Sequence, residues 1–283
     1  LTQMSKRYFR LRIIDGVCFD GTSGGSRAVV DSCAVGNRIY VLSWNRVSIF
    51  SADDFSYLGF FGSYGTGDGQ FSYPYSICSD GTYIYLADTG NNRIEKFTLC
   101  GNFVSKTGSQ GSGDYQFNSP YCVRHSDGKI YVADSGNKRI QIYEASNFSY
   151  IGTISTLPSV VGCWIDENNQ HIIASGFNVL RIFRLSDGEL VRESGTLSSG
   201  HSPVLVGNYL YRNQYDNGKV SKYRYSDFSF VADYAPGQGS LPGQLGHPHH
   251  LSLWPERNLI LVSNIDSPYY IVGITPDLKF QSN

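Results

Sequence analysis

The chain has 283 residues, 41% apolar and 14% aromatic, with 23 basic against 24 acidic side chains and a formal charge of −1. That balance excludes a global field that would draw nucleic acid or an anionic membrane. No apolar run approaches the 18 residues of a membrane-spanning helix, which excludes membrane insertion by helices. The sequence opens at Leu1 with no signal-like segment, and the expectation is a processed product or a domain of a longer chain.

In chain order, residues 7–14 read as a strand, followed by a Gly/Ser-rich loop through Ser26. A first repeat then uses runs 28–33, 37–42 and 46–50 as strands. Residues 67–97 form the clearest unit, and 113–143 copy it. Gln70 matches Gln116, Phe71 matches Phe117, Pro74 matches Pro120, Asp88 matches Asp134, Asn91 matches Asn137 and Arg93 matches Arg139. The period is 46 residues (70 to 116, 93 to 139), within the range of propeller and solenoid arrays.

Further copies are weaker. A fourth unit runs through 160–166, 171–174, 179–185 and 190–195, and a fifth through 204–206, 209–211, 220–225 and 230–234. The sixth opens at 243–249, a degraded copy of 69–75, and continues through 250–253, 259–263 and 270–275. It stops soon after the turn at 276–280, so the strand at 7–14 is expected to supply its missing outer strand and close the ring. Six units of this length nearly fill the chain.

The physics of one unit is legible. Tyr83, Ile84, Tyr85, Leu86 and Ala87 form a short run that is apolar at every position, bounded by Asp80-Gly81 and by Thr89-Gly90-Asn91. Turn residues at both ends and aromatic and β-branched content favour a strand. A strand apolar on both faces needs cover on both, as a sheet between two neighbouring sheets has. A second recurrent signal marks the turn into each last strand: Asp54-Phe55-Ser56, Asn147-Phe148-Ser149 and Asp227-Phe228-Ser229. Asp and Asn suit it because their side chains bond nearby backbone.

Ala87-Asp88-Thr89-Gly90-Asn91-Asn92-Arg93-Ile94 and Ala133-Asp134-Ser135-Gly136-Asn137-Lys138-Arg139-Ile140 closely resemble NHL repeats. The resemblance implies four-stranded blades set radially around a channel. The expected fold is all-β, a six-bladed β-propeller of four-stranded antiparallel blades, with residues 1–283 a single monomeric domain. Fold does not assign activity.

Six cysteines (18, 33, 78, 100, 122 and 163) form no CxxC pair. They are expected to be buried, reduced thiols in a cytoplasmic protein. The lone sequon at Asn147 would suit a secreted one.

Candidate site residues fall in the loops of one rim. Arg46, Arg93, Lys138, Arg139 and Lys219, with Asn91 and Asn137, bring polar and basic groups there; Trp44, Tyr64, Tyr115, Tyr215 and Tyr269 bring rings. Aromatics beside Arg are enriched at protein interfaces, and they also stack on single-stranded RNA. The plainer explanation for the recurrent Asp and Arg is that they pair across their own turn.

The leading expectation is a non-catalytic scaffold that binds a protein partner through this rim, with no cofactor. The main binding alternative is RNA, because the resembled family includes tripartite-motif RNA binders with a positive rim. The enzyme alternative is a metal-dependent lyase or hydrolase at the channel, built on His249 in the His247-Pro248-His249-His250 cluster. Amidating lyases of similar architecture carry inward histidines, but here Tyr75 and Tyr121 stand at the matching positions. Zinc normally takes three or four ligands, and the spacing of His125 and His201 supplies no set.

Overall fold

The computed structural model describes residues 8–12, 29–155, 159–234, 245–264 and 270–274. Six four-stranded antiparallel sheets follow one another, numbered here as blades 1 to 6. Blade 1 holds Asp31–Val35, Arg38–Leu42, Val47–Ser51 and Tyr57–Phe61. Blade 2 holds Ser76–Ser79, Tyr83–Asp88, Arg93–Thr98 and Phe103–Thr107. Blade 3 holds Pro120–Ser126, Lys129–Asp134, Arg139–Glu144 and Tyr150–Ser155.

Blade 4 holds Gly162–Asp166, His171–Ser175, Leu180–Arg184 and Leu190–Glu193. Blade 5 holds Pro203–Val206, Tyr209–Gln214, Lys219–Arg224 and Phe230–Tyr234. Blade 6 holds Pro248–Trp254, Leu259–Asn264 and Tyr270–Ile274, and its outer strand is Tyr8–Arg12. That N-terminal strand pairs antiparallel with the third strand, Tyr8 opposite Ile274 and Arg12 opposite Tyr270. The ring closes as the truncated sixth repeat requires. The turn expected at 276–280 lies outside the described residues.

The apolar runs pack on both faces. Ile84 and Leu86 join the cluster between blades 1 and 2, while Tyr85 and Ala87 join the one between blades 2 and 3. Comparable clusters fill the other interfaces: Cys122 with Cys163, Leu180 with Leu210, Val204 with Leu251, and Leu261 with Val41. Each fully buried Ile or Leu here contributes about 1.5–3 kcal/mol relative to an exposed one.

Two local devices set the turns. Phe55, Phe148 and Phe228 adopt left-handed φ of 60°, 62° and 57°. Each follows an Asp or Asn whose side chain accepts the N–H two residues on, at 3.0, 2.9 and 2.8 Å. The link between second and third strands contains a single 3-10 turn, Thr89–Asn91 in blade 2 and Ser135–Asn137 in blade 3. Gly90 is required there because a Cβ would lie 2.5 Å from the Ser72 carbonyl oxygen.

Among the described residues, Cys33, Cys78, Cys122 and Cys163 are buried free thiols. Cys100 departs from the expectation: its turn, Leu99–Gly101, turns it outward, and it is exposed. No helix among the described residues is long and apolar enough to cross a membrane.

Candidate functional site

The strand 2–3 turns and the loops leading into each innermost strand lie at one end of the disc. The repeat motif builds that end. In blade 2, Asp88 accepts from the Ser72 N–H at 2.7 Å, from Asn91 Nδ2 at 2.7 Å and from Arg93 Nε at 2.8 Å. Arg93 then donates to the carbonyls of Thr66, Gly67 and Gln70 at 2.7–2.8 Å, and Asn91 to that of Gly65. Gln70 accepts from the Gly67 N–H at 2.9 Å.

Blade 3 repeats each bond. Asp134 accepts from Asn118, Asn137 and Arg139 at 2.7–2.8 Å, and Arg139 holds the carbonyls of Ser112, Gly113 and Gln116. The recurrent Asn and Arg therefore fasten the loop arriving from the previous blade. Burial raises the Asp88 carboxyl above the ordinary range, against the Ser72, Asn91 and Arg93 contacts. The structure places Asn91, Arg93, Asn137 and Arg139 in this clamp, with most of their donors used inside the protein.

A different set of side chains meets at the channel mouth. One repeat position, the residue before Ser76 in blade 2, carries Val30, Tyr75, Tyr121, Val161, His201 and His249 around the axis. Tyr75 stacks on Tyr121 with centroids 4.2 Å apart, and lies 5.4 Å from His249. His249 lies 5.0 Å from His201, which lies 5.4 Å from Tyr215; Tyr215 lies 4.8 Å from His247. Trp44 meets Tyr75 and Tyr73 edge to face at 5.3 and 5.8 Å, and Phe177 meets His201 at 5.7 Å. Gly162 has no room for a side chain, since a Cβ would lie 2.4 Å from the His201 carbonyl oxygen.

His201 and His249 in this chain of rings are neutral at neutral pH. Burial, with His250 and Arg212 nearby, pushes His201 down to about 3. Burial, then His250 and His201, holds His249 well below the usual range. Arg212, beneath the mouth near His201, is spent: it donates to the carbonyls of Gly176, Phe177, Ser198 and Gly200. It thereby fixes the turn that presents Phe177. Nothing in the spacing singled out Arg212, and His201 was hidden because blades 4 and 5 depart from the 46-residue period.

The predicted rings divide into two groups. Trp44 and Tyr215, both half-buried, belong to the mouth. Tyr64 and Tyr115 are exposed farther out. Tyr64 sits in a two-residue parallel pairing with Phe71, and the Tyr115 hydroxyl accepts the Tyr150 N–H at 3.0 Å. Tyr269 lies outside the described residues.

The predicted cations do not form a patch. Arg46 is buried with its guanidinium 5.0 Å from the Phe60 ring, Lys219 pairs with Asp233 at 2.9 Å, and Lys138 is exposed on a left-handed turn. Tyr73 and Phe177, exposed and absent from the sequence-derived set, complete the mouth.

The metal alternative centred on His249. Its Nδ1 faces His250 Nδ1 at 2.9 Å and the Val30 carbonyl at 3.2 Å. Among the described residues no group of three or more His, Cys, Asp or Glu side chains is placed to hold a metal ion.

A family model described as "6-bladed beta-propeller" (DUF5128) matches residues 66–184. The chain is a β-propeller. Hydrazine synthase from Kuenenia stuttgartiensis superposes with a TM-score of 0.64 at 11% identity, over 91% of this chain and 99% of that one. The solved structure of U3-55K gives 0.65 at 10% identity, over 96% and 99%. At such identities the likeness is one of fold. No curated protein matches the sequence.

Proposed function

We propose that this propeller is a non-catalytic recognition module that binds a protein partner at the aromatic mouth and the rim around it. The observation that carries the reading is the chain of rings from Trp44 through Tyr73, Tyr75 and His249 to Tyr215 and Phe177. Aromatic anchors in a well-packed setting are where interface energy concentrates. Neutral His201 and His249 and the committed Arg212 leave an aromatic platform suited to a partner's apolar or aromatic side chains.

RNA draws on the same rings, because bases stack on them. Its support is weaker, since Arg93 and Arg139 are clamped, Arg46 is covered and Lys219 is paired.

Peptides selected from a displayed random library on the immobilised propeller provide the test. Trp44→Ala with Tyr73→Ala is expected to weaken their binding by about 2 kcal/mol, roughly thirty-fold in Kd. The melting temperature is expected to stay within about 4 °C. Binders indifferent to both substitutions would contradict the reading. Selection of RNA whose affinity collapses as salt rises would favour the alternative.

A further inference from the structure

The opposite end of the channel holds a cavity of about 580 Å³, within the range of small-molecule sites. It lies where the innermost strands of blades 3 to 6 end, bounded by Arg124, His125, Trp164, Asp166, Glu167 and Tyr225. None of these belongs to the aromatic mouth.

Charge decides what the cavity can take. Arg124 lines it, but its donors turn toward the channel neck. Nη1 bonds Ser76 Oγ at 2.9 Å and the Val123 carbonyl at 3.0 Å, and Nη2 the Leu251 carbonyl at 3.1 Å. Buried Asp31, 3.5 Å away, balances its charge. His125 adds no positive charge at neutral pH: burial lowers its pKa, despite the opposing pull of Asp80, Glu167 and Asp127. The same three carboxylates lie close enough to His125 to act on it. Among the described residues that line the cavity Arg124 is the one Lys or Arg; its Nη atoms are bonded, and its Nε is buried without a partner.

The carboxylates on the wall keep acceptor capacity. Asp166, buried, accepts from the Asn169 side chain at 2.7 Å, from the Asn169 N–H at 3.3 Å and from the Tyr225 hydroxyl, while Glu167, exposed, accepts from Ser126. A carboxylate has about four lone-pair sites, so exposed Glu167 can take further donors or a bare positive charge, with Asp166 behind it on the wall. The Trp164 indole and the Tyr225 ring, both half-buried, supply faces on which a desolvated cation is attracted by the ring quadrupole.

We propose that this cavity binds a small organic cation of the alkylammonium class, its charge against Asp166 and Glu167 and its alkyl groups on Trp164. The site is independent of the protein-binding mouth. The two lie at opposite ends of the channel, so both can be occupied in one molecule.

Calorimetric titration of the intact chain with choline, at fixed ionic strength, tests this. Binding near 1 mM or tighter is expected, weakened at least ten-fold in Glu167→Gln, which keeps the bond to Ser126. Tetramethylammonium is expected to bind as well; acetate and glucose are expected to give no heat. Absence of choline binding, equal binding by the Gln variant, or preferential binding of acetate or glucose would overturn the proposal. Should Trp164→Leu remain folded by circular dichroism, choline affinity is expected to fall in it too, and unchanged affinity there would remove the ring from the site.

Discussion

Blades 2 and 3 come from one template, and where they agree they agree bond for bond. Asp88 and Asp134, Asn91 and Asn137, and Arg93 and Arg139 make the same contacts within about 0.2 Å. Where they differ, the consequences are local and large. Glu95 of blade 2 is fully buried, 3.0 Å from Arg93 Nη2, with no hydrogen-bond partner for either side-chain oxygen. Gln141 of blade 3 donates instead to the Gln116 carbonyl at 2.7 Å and to Asp134 at 3.3 Å. Tyr73 puts an exposed ring at the mouth where blade 3 has Ser119, although both residues take a left-handed φ. Positions shared by the blades build the scaffold; positions that diverge carry individual behaviour.

Breaking the shared clamp is expected to have the largest effect. Arg93→Ala leaves Asp88 and Glu95 buried without their cation, and a loss of about 3–5 kcal/mol is expected in denaturant unfolding. Arg139→Ala is expected to cost less, about 2 kcal/mol. Arg139 is the more exposed of the two, and neutral Gln141 stands where blade 2 has a second carboxyl. Equal losses would mean that Glu95 adds nothing to the difference.

The Glu95 and Gln141 pair sharpens the comparison through pH. Burial, and then repulsion from Asp88 against the pull of Arg93, raises Glu95 from 4.5 to about 7. Between those values the folded protein holds a proton that the unfolded chain has released. Stability is therefore intact below about pH 4.5 and falls as pH rises through about 7. Glu95→Gln is expected to flatten that slope and to stabilise by on the order of 2 kcal/mol at pH 8, with little change at pH 4. Gln141→Glu is expected to introduce the same slope into blade 3. Identical pH profiles for wild type and Glu95→Gln would show that the buried carboxyl is relieved by other means.

His201 works in the opposite sense. Its pKa is depressed from 6.5 to about 3, so stability from the neutral buried ring is present above pH 6.5 and is lost as pH falls toward 3. His201→Phe is expected to reduce that acid sensitivity by about 1–2 kcal/mol at pH 4. Thermal melts from pH 4 to 7 would read it out.

The fold was legible because it repeats. A fixed period, an apolar run needing cover on both faces and a truncated last copy gave the blades and the closing strand. The site was legible only in part. Asn91, Arg93, Asn137 and Arg139 stood out because they recur, yet recurrence marked the clamp that blades 2 and 3 share. Trp44 and Tyr215 pointed to the mouth; Tyr73 and Phe177 did not, being single exposed rings in loops with no pattern. His201 joined His249 only through folding, since irregular spacing in blades 4 and 5 concealed that both occupy one repeat position. The cavity at the other end gathers residues from the ends of four separate blades, which no local sequence signal connects.

The smallest expected effect on stability is also the one that separates scaffold from function. Tyr73→Ser copies the residue of blade 3 at a position whose left-handed backbone both accept, and stability is expected to change by less than about 0.5 kcal/mol. The most direct measurement of the central claim is the affinity of a mouth-selected peptide for Tyr73→Ser, taken beside the melting temperature of the same preparation. The account predicts an affinity loss of about ten-fold with an unchanged melting temperature. An unchanged affinity, or a loss that appears only together with a lowered melting temperature, would contradict it.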